Sequence, residues 1–307
     1  MTIMHPLAGI YAAALTPFHA DYSIDLEAVY PFMQFLASQE CHGALLFGTT
    51  GEGPSLSAKE RSLILQAARE VSTIFPEFRL LVGTGTPSLD ETVELTQNAF
   101  DLGCDGVVVL PPYYFRKVSD DGLFLWFQHV IQRAVPADGY LFGYHIPGMS
   151  GVPLSLDLLA RLKDAFPDQF AGIKDSSGDP QHAAALGRRF GSHLLVLNGN
   201  DGLLLHALEY NAGGAITAVA NLYAPLLRQV WDIFVQDGDG IEAQDKLNTR
   251  RQILERYQPF PPILKAIMPH YHEFTKWSLR PPLMPVSAEM EAACLKELRD
   301  CEEVVPD

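Results

Sequence analysis

The sequence is poor in the residues that mark several protein classes. Its four cysteines, Cys41, Cys104, Cys294 and Cys301, are scattered over 307 residues and never form a C-x-x-C pair. That excludes a disulfide scaffold and fits a reducing, cytoplasmic compartment. No apolar run exceeds about 8 residues, against the roughly 20 needed to cross a bilayer. Residues 1–10 contain His5 and Pro6 and lack a basic start leading into an apolar stretch, so no signal peptide is expected. Positive charge is scarce too: 22 Lys and Arg face 37 Asp and Glu, a formal net charge of −15 with His neutral. Such a chain is a poor coat for nucleic acid or an anionic membrane. An anionic ligand would need a local cation to overcome the global field. The ten histidines show no H-x-x-x-H spacing, and His270 and His272 are two apart and point to different sides of a helix, so no metal is expected. A Gly-x-Ser-x-Gly elbow and a Walker loop are absent as well.

What is present is a core: 48% of residues are hydrophobic and 19% charged, the balance of a globular chain. Short apolar runs recur at residues 8–15, 43–47, 79–83, 106–110, 140–144, 170–174, 194–198 and 214–217. Most are continuously apolar rather than alternating, as in strands buried on both faces of a parallel sheet. Helical patterns separate them. Ser57 and Glu60 form a capping box, Ser88, Ser119 and Ser155 can each cap a following helix, and Asp179-Pro180 reads as a cap plus N1 proline. Eight strand–helix units predict an α/β fold, a (β/α)8 TIM barrel, over residues 1–222. An open doubly wound sheet is the competing arrangement, but Thr16-Pro17-Phe18 after the first run is no glycine fingerprint. Residues 223–307 read as a C-terminal helical extension packed on the barrel. Helices are expected near 222–236, 241–257 and 262–277 and from about 287, with a proline-rich turn at Arg280-Pro281-Pro282-Leu283.

Barrel chemistry sits at the carboxyl ends of the strands. There the chain places Gly48-Thr49-Thr50-Gly51-Glu52, Pro111-Pro112-Tyr113-Tyr114, Tyr144-His145-Ile146-Pro147, Gly172-Ile173-Lys174-Asp175, Asn198-Gly199-Asn200-Asp201 and Ile216-Thr217. Lys174 ends an apolar strand, where a lysine is costly unless paired or neutral. A free lysine at pH 7 is a neutral amine about once in 2500. Burial would raise that fraction, and a neutral amine condenses with a ketone to an imine. The plain alternative is a structural bridge from Lys174 to Asp175 or Glu52. Tyr144 stands one strand away, where a phenol can move protons for the reacting carbonyl or simply cap the core. Thr49 and Thr50 with the amides around Gly51 can hold a carboxylate or form an ordinary turn. Tyr113-Tyr114, behind two prolines, either cover a pocket or bury at a subunit interface.

Taken together, Gly48-Thr49-Thr50-Gly51-Glu52, Tyr144-x-x-Pro147 and Gly172-Ile173-Lys174-Asp175 resemble the three signatures of the dihydrodipicolinate synthase and N-acetylneuraminate lyase superfamily, from about Gly9 to Leu283. The resemblance implies a class I pyruvate-dependent aldolase on a (β/α)8 barrel, a homotetramer built as a dimer of dimers, with no metal or other cofactor. It implies that Lys174 forms the Schiff base with pyruvate and that Tyr144 is the general acid and base. Thr49 would relay protons between Tyr144 and Tyr114, the latter reaching into a neighbouring subunit's site. Thr50 and the amides at Gly51 would bind the pyruvate carboxylate, and the Ile216 carbonyl would line the site.

The departures bear on the substrate. The synthase branch has an arginine shortly after Tyr-x-x-Pro, and Met149 stands there; a thioether cannot pair with a carboxylate. Ile146-Pro147-Gly148-Met149-Ser150-Gly151-Val152 looks more like the sialic acid lyase branch, which adds Ser150 to the expected substrate contacts. That branch has an Asp-Glu pair after strand 7 for sugar hydroxyls; here Asp201-Gly202 supplies half of it, and His145 replaces the asparagine that commonly follows the tyrosine. The expectation is a lyase joining or splitting pyruvate and an aldehyde, on a 2-keto-3-deoxy sugar acid or related 2-oxo acid. The alternatives are dihydrodipicolinate synthase, N-acetylneuraminate lyase, a dehydratase or hydratase-aldolase, and, outside enzymes, a 2-oxo acid sensor.

Overall fold

The computed structural model describes residues 5–303. The first four residues of the segment read for a signal peptide, and the outer ends of the two expected units, lie outside the described residues. Eight strands run β1 Gly9–Ala13, β2 Gly43–Leu46, β3 Arg79–Gly83, β4 Gly106–Val109, β5 Leu141–His145, β6 Phe170–Asp175, β7 Leu195–Asn198 and β8 Gly214–Thr217. Each pairs in parallel with the next, and β8 pairs with β1 to close the barrel. The eight apolar runs are these eight strands, with ends displaced by at most a few residues.

The helices are α1 Leu26–Ser38, α2 Ala58–Arg69, α3 Leu89–Asp101, α4 Asp120–Ala134, α5 Pro147–Ser150, α6 Leu156–Ala165, α7 Pro180–Phe190, α8 Leu204–Glu209, α9 Ala220–Val235, α10 Ile241–Glu255, α11 Phe260–Tyr271 and α12 Ala288–Glu303. The caps read from the sequence are made: Ser57 and Glu60 form both halves of the capping box, Ser88, Ser119 and Ser155 accept from the backbone three residues on, and Asp179 accepts from the Gln181 amide. Each such cap stabilises its helix by about 1 kcal/mol. The boundary expected at 222/223 falls inside α9, which packs on β1. There Asn221 bonds the backbone of Ala13 and Leu15 and so ties α9 to the end of β1. Among the described residues no helix is long and apolar enough to cross a membrane.

Strand alternation makes two cores. Tyr11, Ala13, Leu45, Leu81, Val108, Phe142, Leu197 and Ile216 fill the barrel, while Ile10, Ala12, Leu46, Val107 and Val109 face the helices. One strand breaks the alternation. In β6, Phe170 and Ile173 belong to the outer core and Ala171 to the inner one. The pairing of β5 with β6 slips at this point: Leu141 pairs with Phe170, but Phe142 pairs with Gly172. Ala171 is the extra residue of a β-bulge. Strict alternation from Phe170 would turn Lys174 toward the helices; the bulge turns it inward, level with Tyr144. Gly172 is required at this point, because a Cβ there would lie 1.8 Å from the Leu195 carbonyl oxygen of β7.

Candidate active site

At the carboxyl ends of the strands lies a cavity of about 430 Å³. Thr49 and Thr50 reach it from the loop after β2, Tyr144 from β5 and Ile146 from just beyond it, and Lys174 from β6 with Ser176 and Ser177 from the loop that follows. Gly199 and Ile216 line it from β7 and β8, and Arg251 and Gln258 to Pro261 form its roof from α10 and the start of α11. A larger open hollow, about 650 Å³, lies between α10 and α12. Its wall alternates Glu242, Lys246, Arg256 and Glu297 and includes no strand end, so it carries none of the chemistry below.

Lys174 is buried, 3% exposed, and its Nζ sits 4.3 Å from the centre of the Tyr144 ring. Among the described residues no carboxylate forms an ion pair with it: Asp175 pairs with His182, and Glu52 pairs with Lys265. The structural bridge weighed for Lys174 is therefore not made. The Tyr144 hydroxyl lies 3.5 Å from Thr49 Oγ1. Burial opposes ionisation of this phenol, but the Lys174 ammonium and hydrogen bonds from Thr49, Ser176 and Lys174 outweigh it and hold the pKa below that of an ordinary tyrosine. A phenol eased toward ionisation beside an amine can both take and return a proton.

The Thr49-Thr50-Gly51 turn is built to hold its shape. A Cβ on Gly51 would lie 2.6 Å from the Ala14 carbonyl oxygen, and the Gly51 carbonyl accepts a 2.6 Å bond from Thr16. Glu52 follows in a left-handed conformation, φ 54°. Its buried carboxylate accepts from Lys265 Nζ at 2.6 Å and from the Arg280 amide at 3.0 Å. Arg280, in the proline-rich turn, thus anchors the loop from outside.

Other expected residues are placed differently. Tyr114 is 77% exposed, packs edge-on against the exposed Phe115, and does not line the cavity of its own chain. The Ser150 hydroxyl is spent on the Ile146 and Val152 backbone and braces the turn of α5; Met149 beside it is the residue on the cavity wall. Asp201 is wholly buried and off the wall, its Oδ2 held at 2.6 Å by Arg251. The chain thus sets Arg251, rather than Asp201, against the cavity, because the carboxylate needs a counterion once it is taken out of water.

The residue after each catalytic candidate enters a second network. The His145 ring stacks on His182 at 4.4 Å, His145 Nδ1 accepts from the Leu154 amide, and His182 bonds Asp175 at 3.1 Å. Burial pushes His145 down to about 4, whereas the bond to Asp175 holds His182 above its ordinary value. These are the described residues whose donor atoms come close enough to surround a cation, a grouping that sequence spacing does not reveal. Their atoms are largely committed to one another and to backbone amides.

Sequence reasoning missed Ser176, Ser177, Gln258, Phe260 and Arg251. The two serines directly follow Gly172-Ile173-Lys174-Asp175, so the strand-end rule reaches them. Nothing in Thr249-Arg250-Arg251-Gln252 distinguishes a buried arginine from a solvated one.

The dihydrodipicolinate synthetase family model matches residues 6–300. A protein of Chloroflexus aurantiacus called an uncharacterized DapA-like lyase is 37% identical over 286 residues, covering 93% of this chain and 94% of its own. A 4-hydroxy-tetrahydrodipicolinate synthase of a Synechococcus strain is 32% identical, over 93% of this chain and 92% of its own. Among solved structures, YagE of Escherichia coli, described as a prophage protein of the dihydrodipicolinic acid synthase family in complex with pyruvate, superimposes with a TM-score of 0.88. It is 27% identical and covers 96% of this chain and 99% of its own.

Proposed function

The chain belongs to the dihydrodipicolinate synthetase family and is a lyase, and on that premise we propose that it is a Schiff-base aldolase that splits a 2-keto-3-deoxy sugar acid, or a related short polyhydroxy 2-oxo acid, into pyruvate and an aldehyde. The observation that carries this reading is the buried amine of Lys174, 4.3 Å from the Tyr144 ring and paired with no carboxylate among the described residues.

The neutral amine of Lys174 attacks C2 of the 2-oxo acid while Tyr144 gives a proton to the carbonyl oxygen. Loss of water from the carbinolamine leaves a protonated imine. Tyr144 takes the proton of the C4 hydroxyl, the C3–C4 electron pair moves toward the iminium, and the bond breaks to an aldehyde and an enamine. The enamine takes a proton at C3, and water then hydrolyses the imine, freeing pyruvate and the amine. The imine itself is the electron sink, so the cycle needs no metal. Thr50 holds the carboxylate together with the amide of Gly51 beside it, and the Ile216 carbonyl lines the pyruvate end; Thr50 and Ile216 are wall residues, Gly51 is not. Thr49, bonded to Tyr144, passes protons toward Tyr114 of a neighbouring copy in a homotetramer. The exposure of Tyr114 and Phe115 supports that role, since neither has work in its own cavity.

The relatives called 4-hydroxy-tetrahydrodipicolinate synthase favour a second reading, condensation of pyruvate with aspartate semialdehyde. Met149, on the cavity wall, offers no cation for that second carboxylate. Borohydride reduction in the presence of pyruvate tests the shared chemistry. An adduct at Lys174 is expected by mass spectrometry, and its absence rejects both readings. Pyruvate release from a panel of 2-keto-3-deoxy acids, run beside condensation with aspartate semialdehyde, separates them.

A further inference from the structure

This inference rests on the aldolase reading and concerns two chain segments on the cavity wall. One follows β5 and supplies Ile146, Gly148 and Met149; the other follows β6 and supplies Ser176 and Ser177. In the aldolase reading Thr49 and Thr50 belong to pyruvate, which leaves these two segments to the aldehyde. Each strand ends in a buried polar residue that is off the wall: His145 after Tyr144, and Asp175 after Lys174. Alternation along a strand puts them there. Each holds the segment that follows its own strand. His145 Nδ1 accepts from the Leu154 amide at 3.0 Å, across nine residues. The Leu154 side chain also packs on β5, where a Cβ on Gly143 would lie 2.8 Å from Leu154 Cδ1. Residues 146–153 therefore leave β5 and are brought back to it. Asp175 Oδ1 accepts from the Ser177 amide at 3.0 Å.

Two further contacts join the segments. The Ser176 amide donates to the His145 carbonyl at 2.8 Å. His182, in the first turn of α7, stacks on the His145 ring, 11° from parallel, while its Nδ1 bonds Asp175 Oδ2 at 3.1 Å. The Leu154 bond also fixes the chemical state of His145. A ring nitrogen that accepts from an N–H carries no proton, so His145 is neutral with its proton on Nε2. We propose that His145 is a positioning residue for the second substrate: by accepting from Leu154 it holds the loop that carries Met149 against the Ser176-Ser177 segment, and so sets affinity for the aldehyde while leaving the pyruvate end unchanged. His182 and Asp175 are the brace that keeps the His145 ring in place.

The test uses the unsubstituted chain, His145→Leu, which fills the site but cannot accept, and His145→Asn, whose amide oxygen can. Three measurements are made on each: the borohydride adduct with pyruvate, KM for pyruvate, and KM for the aldehyde in condensations with glyceraldehyde and with aspartate semialdehyde. His145→Leu should raise KM for the aldehyde about threefold to tenfold, the size of one hydrogen bond, with KM for pyruvate and the adduct unchanged. His145→Asn should restore the aldehyde KM. A loss of stability alone would not split the two KM values in this way. The inference is overturned by an unchanged aldehyde KM in folded His145→Leu, by an equal rise in both KM values, or by a folded His145→Asn whose aldehyde KM rises tenfold. Nitrogen NMR of labelled histidine in the unsubstituted chain gives a readout that needs no folded His145→Leu. At pH 7.5 the His145 ring should be neutral and protonated at Nε2, and a proton on Nδ1 overturns the inference. A chain that forms the adduct but condenses neither aldehyde overturns it too and leaves the imine chemistry standing. No adduct at all removes the aldolase reading, and this inference falls with it.

Discussion

Lys174 and Lys265 are sunk to the same depth, 3% and 2% exposed. Each holds its Nζ 4.3 Å from the centre of an aromatic ring, Tyr144 for one and Phe18 for the other. They differ in company. Lys265, on α11, donates to Glu52 at 2.6 Å and to the Ser278 carbonyl at 2.8 Å. Burial pushes its pKa down to about 8, against the pull of Glu52. Lys174 has no carboxylate partner among the described residues and faces a cavity. Depth and an aromatic neighbour therefore do not make a lysine a reagent. A carboxylate turns one into a cross-brace between α11 and the Thr49-Thr50-Gly51 turn; its lack leaves the other facing the cavity with no ion pair to break.

The comparison breaks most sharply at Lys174. Lys174→Ala should abolish the borohydride adduct and lower pyruvate release by at least about 10⁴-fold, while a thermal melt shows a folded protein no less stable, since no ion pair is lost. Residual turnover near that of the unsubstituted enzyme would place the reagent elsewhere. Tyr144→Phe tests whether the ring beside Lys174 does more than pack. Turnover should fall about 10²- to 10⁴-fold with the adduct still trappable on long incubation, and an unchanged kcat would leave Tyr144 as filler, like Phe18. Lys265→Met should move activity least and stability most. With Glu52 left buried and uncompensated, unfolding free energy should drop by about 3–5 kcal/mol in a denaturant titration, and Glu52→Gln in addition should restore part of it. A single variant as stable as the parent would mean that the two lysines are of one kind.

The barrel was legible because strands covered on both faces write continuous apolar runs, and because serine and aspartate caps punctuate the helices between them. Legibility failed where tertiary contacts decide. The helix expected at 262–277 ends at Tyr271: Pro269 sits in its last turn, and His272 is extended, φ −142° and ψ 152°. The segment beyond it runs back to pack Phe274 and Trp277 edge-on against Phe32. The helix expected at 222 begins at Ala220, and α5 was not anticipated at all. That Lys174, Tyr144, Thr49, Thr50 and Ile216 line the cavity is legible in the sequence because each ends or follows a strand. Ser150 and Asp201 were read from sequence likeness as substrate contacts, yet the structure spends the first on its own turn and the second on Arg251. Arg251 was invisible because it arrives from a helix about fifty positions away in sequence from the residue it neutralises.

Four positions separate Phe170 from Lys174, an even count that would ordinarily leave both side chains on one side of the ribbon. The surplus alanine between them makes the count work as if it were odd. Losing Ala171 would leave net charge and every signature residue untouched, yet it would aim the amine into the packing between barrel and helices. Chain length through this short stretch is thus as much an ingredient of reactivity as the lysine itself, and it is one that no inventory of residue types records.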